Sequence, residues 1–142
     1  MKKKKVLVFG TFDFLHPGHR SFLKQAKKLG NFLTVVVACD HTIKHLKKII
    51  PHHNEKQRVK MVKALKIADQ VTLGHHDFKK KYVIILKLKP DIIALGYDQK
   101  FFVKNLPAVI KKLGQPCRIV RLKAYRPEKY KSSIYRLNQK TN

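Results

Sequence analysis

Five short apolar runs, separated by segments with helical signals, constrain the fold of this chain more than any other feature. The runs cover residues 6–9, 33–39, 71–73, 91–95 and 117–122. Continuous apolar runs of this length are typical of strands buried on both faces, and a helix between two strands lets them lie parallel. The sequence therefore predicts an α/β fold, a doubly wound five-stranded parallel sheet covered by helices on both faces.

Signals that begin and end helices lie between these runs. Pro17 suits the first turn of a helix, and Gly30 suits its C-terminal end. Asn54 with Gln57 three residues later has the pattern of a capping box. The predicted helices span about 17–29, 55–68, 78–87 and 104–113, with a loop and a short helical piece over 41–53 and a final turn or short helix over 128–138.

Length and composition limit the class of protein. At 142 residues the chain fits one domain, so we expect a single domain over 1–142. No run approaches the ~20 apolar residues of a membrane span, and the basic N-terminus makes a poor signal peptide. We therefore expect a cytoplasmic protein with no membrane partner. Cys39 and Cys117 lie far apart and outside any C-x-x-C pair, which favours reduced core residues over a disulfide or a metal site.

The net charge of +25 raises a non-enzymatic alternative, a basic protein that binds RNA or another anion. Lysines recur on nearly every predicted helix, which favours solvated helix surface for much of this charge. Attraction to RNA would then be a salt-sensitive background property without sequence readout. Tight, salt-dependent polynucleotide binding without turnover would distinguish the alternative from an enzyme.

Two histidines lie at the point where the first predicted strand gives way to the first helix. The segment runs Gly10-Thr-Phe-Asp-Phe-Leu-His-Pro-Gly-His19, which places His16 and His19 at the N-terminal end of that helix. An anion bound there meets unpaired backbone N–H groups, the positive end of the helix dipole and two imidazoles. The pattern predicts a phosphate site. Asp13 either orients this loop or acts directly, and the sequence leaves both roles open.

Several chemically useful residues follow strands, so they belong to the carboxyl edge where doubly wound sheets bind ligands. They are His16 and His19, Asp40 with the lysines after it, Gly74-His75, Gly96-Tyr97-Asp98, and Ser132 with Ser133. Fold geometry alone does not decide between binding and catalysis.

The run G-T-F-D-x-x-H-x-G-H resembles the signature of the nucleotidyltransferase superfamily that includes cytidylyltransferases, pantetheine-phosphate adenylyltransferases and archaeal-type FAD synthases. The segment Ala94-Leu-Gly-Tyr-Asp-Gln-Lys-Phe101 is similar to one in archaeal-type FAD synthases, and residues 130–136 resemble a C-terminal hydroxyl-rich motif. The resemblance implies the Rossmann-like fold of the H-x-G-H nucleotidyltransferases. It implies that the catalytic residues are His16, His19, Lys47 and Arg58. It also implies that the nucleotide is bound by Gly10, Thr11, Phe12, His16, His19, Gly96, Asp98, Ser132 and Ser133.

The same resemblance implies the reaction. A phosphate-bearing acceptor would join a nucleotide with release of pyrophosphate, and the leading pair is ATP and FMN giving FAD. The alternative is CTP-dependent transfer to glycerol 3-phosphate or a similar small phosphate ester. Mg²⁺ would enter with the nucleoside triphosphate, and the residues suggest no resident metal site. Members of this superfamily are often dimers, so a homodimer is expected.

Overall fold

The computed structural model describes residues 4–80, 82–97, 99 and 105–124, in which strands and helices alternate. In chain order these are β1 (Lys5–Gly10), α1 (Pro17–Lys28), β2 (Phe32–Val37), α2 (Asp40–Lys47), α3 (Glu55–Ala64), β3 (Gln70–Leu73), a 3₁₀ turn (Phe78–Lys80), α4 (Val83–Leu88), β4 (Ile92–Leu95), α5 (Leu106–Lys111) and β5 (Arg118–Arg121). The predicted turn or helix at 128–138 lies outside the described residues.

The five strands form one sheet in the order β3-β2-β1-β4-β5, and every neighbouring pair is parallel. Leu7 on the central strand lies opposite Thr34 on β2 and Ile93 on β4. The predicted doubly wound parallel sheet is confirmed. The strand order reverses between β1 and β4, and the crevice outside such a reversal is where this class of sheet binds ligands.

Helices cover both faces of the sheet because side chains alternate along each buried strand. Val6 and Val8 point to the face covered by α1 and α3, whereas Leu7 and Phe9 point to the face covered by α2, α4 and α5. On the first face Leu23 of α1 is fully buried. Burying a leucine of this kind contributes about 1.5–3 kcal/mol, which stabilises the packing of α1 on this face of the sheet.

Two predicted segments differ from the structure. Residues 40–47 form the complete helix α2, where the sequence predicted a loop with only a short helical piece. Its buried residues are Thr42 and Ile43, with Leu46 partly buried, and two apolar positions are too few to produce a visible helical period. The helix predicted over 78–87 is divided: Asp77 accepts a bond from Lys79 N–H at the 3₁₀ turn, and α4 begins separately at Val83.

In the part of the chain that the structure describes, no helix is both long and apolar enough to cross a membrane.

Candidate active site

His16 and His19 together cap the N-terminus of α1 through reciprocal hydrogen bonds between side chain and backbone. His16 is the N-cap residue, and its Nδ1 accepts a hydrogen bond from Gly18 N–H at 3.0 Å. In return, His19 Nδ1 accepts from the backbone N–H of His16 at 3.3 Å. The two ring centroids are 4.0 Å apart. This is a capping box built from two imidazoles in place of the usual hydroxyl and carboxamide pair.

Both imidazoles are held in the neutral form. Burial lowers the pKa of His16, and it lowers the pKa of His19 to about 3, with smaller contributions of the same sign from His16 and Lys47 and an opposing one from Asp13. Because Nδ1 of each ring accepts an N–H, it carries no proton, and the neutral ring keeps its proton on Nε2. The site therefore presents two N–H donors of imidazole beside the positive end of a helix.

This protonation state makes stability depend on pH. Both folded-state pKa values lie below the ordinary value of 6.5, so the unfolded chain binds protons that the folded chain does not. We expect the free energy of unfolding to be highest above pH ~6.5 and to fall as the pH is lowered from there toward ~3. Urea denaturation between pH 7.5 and pH 5 measures it. The His19→Gln variant, which cannot titrate at this position, should lose less stability over the same interval, and parallel losses in both proteins would contradict the assignment.

Gly10 and Phe12 shape the loop that leads from β1 to these histidines. A Cβ atom on Gly10 would lie 2.6 Å from the ring of Phe12, so a glycine is needed for internal packing. The Phe12 ring is buried and lies 5.7 Å from the ring of His19, which it supports from the core side. Phe12 also adopts a left-handed backbone conformation with φ 55°, a strained state for a bulky residue. Because the Phe12 ring is buried, the predicted contact of Gly10 and Phe12 with the nucleotide can involve only backbone atoms. That contact stays a prediction.

Lys47 reaches this loop from the C-terminal turn of α2. Its Nζ donates to Thr11 Oγ1 at 2.9 Å, and its charge is one of the factors that lower the pKa of His19. The structure therefore brings Lys47, Thr11 and His19 together, as the sequence predicted for a site that binds phosphate. A cation here adds to the donors already described. Its predicted catalytic role stays a prediction.

Arg58 occupies a different environment from the one expected. Its side chain is 0 % exposed, and Nη1 donates to the backbone carbonyls of Thr11 at 2.8 Å and Ala38 at 2.7 Å. Its Nε donates to the carbonyl of His53 at 3.0 Å, and Nη2 donates to Asp40 Oδ1 at 2.7 Å. The resemblance implied a catalytic role for Arg58, which would require the guanidinium to contact substrate, but these hydrogen bonds direct it to the protein. They favour a positioning role, in which Arg58 joins the loops after β1 and β2 to the start of α3.

Asp13 ties the loop after β1 to the segment before α3. Its carboxylate is 1 % exposed and accepts bonds from the backbone N–H groups of His52 at 2.6 Å and His53 at 3.1 Å. The ring of Phe14 stacks on His52 with centroids 4.9 Å apart. Of the two roles that the sequence left open for Asp13, these contacts favour orienting the loop. Sequence reasoning missed His52 and His53 as partners of Asp13, because no sequence signal pairs them with an aspartate.

The loop after β4 lies beside the switch point. Gly96 N–H donates to Gln99 Oε1 at 3.1 Å, and Gln99 Nε2 donates to the carbonyl of Phe9 at 3.1 Å, which joins the ends of β4 and β1. Arg121 Nη1 donates to the Gly96 carbonyl at 2.7 Å. Sequence reasoning missed Gln99 and Arg121 as supports of this loop. Asp98, Ser132 and Ser133 lie outside the described residues.

Gly96 differs from Gly10 in its surroundings. The nearest atom to a Cβ built on Gly96 is 3.9 Å away, on the side chain of Gln99. Internal packing therefore does not demand a glycine at this position. The missing side chain leaves space at the carboxyl end of β4, which agrees with the predicted nucleotide contact.

Comparison with known proteins gives one consistent family. Residues 7–138 match the family described as cytidylyltransferase-like. The chain is 50% identical over 131 residues to a protein called FAD synthase from Archaeoglobus profundus, covering 91% of this chain and 81% of that protein. It is 45% identical over 132 residues to a FAD synthase of Thermoplasma volcanium, covering 93% and 91% of the two chains.

Solved structures agree on the fold. A crystal structure described as a lipopolysaccharide core biosynthesis protein from Thermoplasma volcanium superposes with a TM-score of 0.77 at 43% identity, covering 87% of this chain and 99% of that one. Pantothenate synthetase from Thermus thermophilus has a TM-score of 0.57 at 15% identity, covering 88% of this chain and 57% of its own, and it supports the fold alone.

Proposed function

This chain belongs to the cytidylyltransferase-like family, and from that premise we propose that it transfers AMP from ATP to the phosphate of FMN, forming FAD and pyrophosphate. The observation that carries the proposal is the pair of neutral imidazoles at the N-terminus of α1, beside the switch point of the sheet. The high identity to proteins called FAD synthase favours ATP and FMN over the CTP-dependent alternative.

The chemistry needs no nucleophile from the protein. A phosphate oxygen of FMN attacks the α-phosphorus of ATP, a new P–O bond forms, and the bond to the bridging oxygen breaks as pyrophosphate leaves with its electron pair. Negative charge grows on the non-bridging oxygens and on the leaving group. The Nε2–H groups of His16 and His19, together with the helix N-terminus, can stabilise that charge without reorganising. Mg²⁺ enters as part of the triphosphate substrate and neutralises part of its charge.

The remaining residues have three kinds of role in this proposal: supplying a cation, binding the nucleotide and positioning the loops. Lys47 supplies a flexible cation next to the reacting phosphates. Gly96, Asp98, Ser132 and Ser133 bind the nucleotide, as do the backbones of Gly10, Thr11 and Phe12. Arg58 fixes the loops that carry these groups, because its hydrogen bonds end on their backbone carbonyls.

A substrate matrix tests the proposal. Pyrophosphate release is measured with ATP or CTP in combination with FMN, glycerol 3-phosphate or phosphopantetheine. We expect turnover with ATP and FMN, with one FAD formed for each pyrophosphate. Turnover with CTP and glycerol 3-phosphate, and none with ATP and FMN, would support the cytidylyltransferase alternative. Absence of turnover with every pair, together with steeply salt-dependent RNA binding, would support the non-enzymatic one.

The single domain over 1–142, the homodimer, the weak attraction to RNA and the cytoplasmic location stay predictions from the sequence. Sedimentation of the purified protein and RNA binding at two salt concentrations measure the homodimer and the attraction to RNA.

A further inference from the structure

A glutamine side chain connects the ends of β1 and β4 at the point where these strands separate. The paired positions of the two strands end at Val8 and Ala94. Beyond them, Gln99 Nε2 donates to the carbonyl of Phe9 at 3.1 Å, and Gln99 Oε1 accepts from the N–H of Gly96 at 3.1 Å. One carboxamide therefore joins the two strand ends at the switch point, where a sheet of this class binds ligands.

Arg121 holds the same loop from the other side. It is the last paired residue of β5, opposite Leu95, so it lies at the carboxyl edge of the sheet. Its Nη1 donates to the Gly96 carbonyl at 2.7 Å. The same nitrogen lies 3.1 Å from the carbonyl oxygen of Gln99 and 3.5 Å from that of Tyr97. Three carbonyls of the loop after β4 therefore converge on one guanidinium nitrogen.

Gly96 makes the orientation of this loop depend on the side chains around it. A glycine restricts its own backbone less than any other residue, and a Cβ built on Gly96 has no neighbouring atom closer than 3.9 Å. Its N–H is held by the Gln99 side chain, and its carbonyl accepts from Arg121 and from the N–H of Gln99 at 3.2 Å. Hydrogen bonds rather than packing therefore fix this peptide.

The charge of Arg121 suits a loop that faces an anionic ligand. Carbonyl oxygens carry partial negative charge, so a group of them disfavours a phosphate nearby unless a cation compensates. Hydrogen bonds donated by a charged group are also roughly twice as strong as neutral ones. Because Arg121 is exposed, removing its side chain should have little effect on the stability of the whole fold. Its effect should be confined to the loop.

We propose that Gln99 and Arg121 are positioning residues for the nucleotide, which together hold the loop after β4 in the orientation that binds ATP. The inference rests on the proposed function, which assigns the nucleotide to this loop through Gly96. Neither side chain acts on the reacting phosphates in this role. The pair should therefore change the KM for ATP and leave kcat and the KM for FMN unchanged.

Arg121→Ala tests the proposal through the two KM values. We expect the KM for ATP to rise about 10-fold, which is typical of losing a hydrogen bond from a charged group. The kcat at saturating ATP and the KM for FMN should stay within about twofold of the wild-type values. Arg121→Lys should recover part of the affinity for ATP, because an ammonium group can still donate to a carbonyl. A side chain that only supported the fold would lower activity through the folded fraction and leave the KM for ATP unchanged.

Arg118→Ala is the matched control at the other end of β5. Arg118 is also exposed, and it lies opposite Ile92 at the start of β4, away from the loop. Both variants lose the same side chain and the same charge from one edge strand. Arg118→Ala should keep the wild-type KM for ATP, and equal rises in both variants would trace the effect to net charge and overturn the inference. Thermal unfolding of each variant confirms that it is folded at the assay temperature.

Gln99→Met tests the second positioning residue. Methionine has a similar length but neither donates to Phe9 nor accepts from Gly96 as the carboxamide does. We expect the KM for ATP to rise by about 5–10-fold. Because both residues hold one loop, the Gln99→Met/Arg121→Ala double variant should raise the KM by less than the product of the two single factors. A rise equal to that product would contradict a shared loop.

The outcomes separate this inference from the proposed function. A wild-type KM for ATP in both Arg121→Ala and Gln99→Met, with FAD still formed, would overturn the inference and leave the function standing. Absence of turnover with every substrate pair would overturn the function. In that case equilibrium dialysis with ATP still tests the loop, and equal ATP binding by the wild-type protein and Arg121→Ala would overturn the inference as well.

Discussion

Replacing His19 with alanine is expected to lower kcat for FAD synthesis by about 10²–10³-fold, which is typical of losing one preorganised donor to a charge that develops in the transition state. The substitution removes the Nε2–H of a ring whose pKa of about 3 keeps it neutral throughout the working range of pH. The KM for ATP should change much less, because the donor acts mainly after the attack on phosphorus has begun. Pyrophosphate release at saturating ATP and FMN measures the effect.

A second variant separates this chemical role from the cap. Alanine at position 19 also removes the acceptor for the backbone N–H of His16. Glutamine restores that acceptor, since Gln57 does the same for the N–H of Asn54 at the start of α3, at 2.9 Å. At pH 7.5, where His19 is neutral in both the folded and the unfolded chain, His19→Gln should therefore unfold at the same urea concentration as the wild-type protein and still lose most of its kcat. Wild-type turnover in both variants would remove His19 from the mechanism.

The positions of strands were predictable because burial on two faces leaves a clear pattern. The first strand shows it best, since Val6 to Phe9 are all apolar and all buried. The order of strands was not predictable from such runs. β5 lies at one edge, and Arg118, Ile119 and Arg121 are exposed, although the run over 117–122 was predicted as a strand buried on both faces. Strand order depends on which way each crossover turns, and no local pattern records that.

The helix α2 was missed for a related reason. It has eight residues and packs chiefly through Ile43 and Leu46, while histidines and lysines occupy its outer side. Tertiary packing against the sheet stabilises this helix more than the helix propensity of its own residues does. This matters for the candidate active site, because the last turn of this helix brings Lys47 to Thr11.

The histidine pair was predictable, whereas its supporting contacts were not. A strand, a glycine and a proline before His19 together indicate a helix that begins at the phosphate site. Arg58, by contrast, bonds to the carbonyls of Thr11 and Ala38, which lie 47 and 20 residues earlier in the chain. Any residue type supplies a backbone carbonyl, so a bond to one leaves no trace in the sequence. The resemblance could point to the arginine but not to its partners.

Replacing Arg58 with methionine is expected to lower the free energy of unfolding by about 3–5 kcal/mol. Methionine fills a similar space, but it leaves the carbonyls of Thr11, Ala38 and His53 without the donor that they have in the folded protein. Each such loss in a buried site costs about 1–3 kcal/mol before local relaxation. Urea denaturation at pH 7.5 measures the change.

Lys60→Ala provides the comparison on the same helix, because Lys60 is exposed and should change stability by no more than about 0.5 kcal/mol. Arg58→Lys keeps the charge but replaces the planar fork with a single ammonium group, which cannot span three carbonyls and Asp40. We expect the free energy of unfolding of Arg58→Lys to be intermediate between those of Arg58→Met and Lys60→Ala.

Activity decides between the two roles considered for Arg58. If it positions the loops, a decline of FAD synthesis should accompany the loss of stability, and Arg58→Lys should recover part of both. If it binds substrate phosphate, Arg58→Met should unfold at the same urea concentration as Lys60→Ala while its kcat/KM for ATP falls sharply. The second result would contradict the positioning role, because a guanidinium that holds three backbone carbonyls in a buried site cannot be removed without a cost in stability.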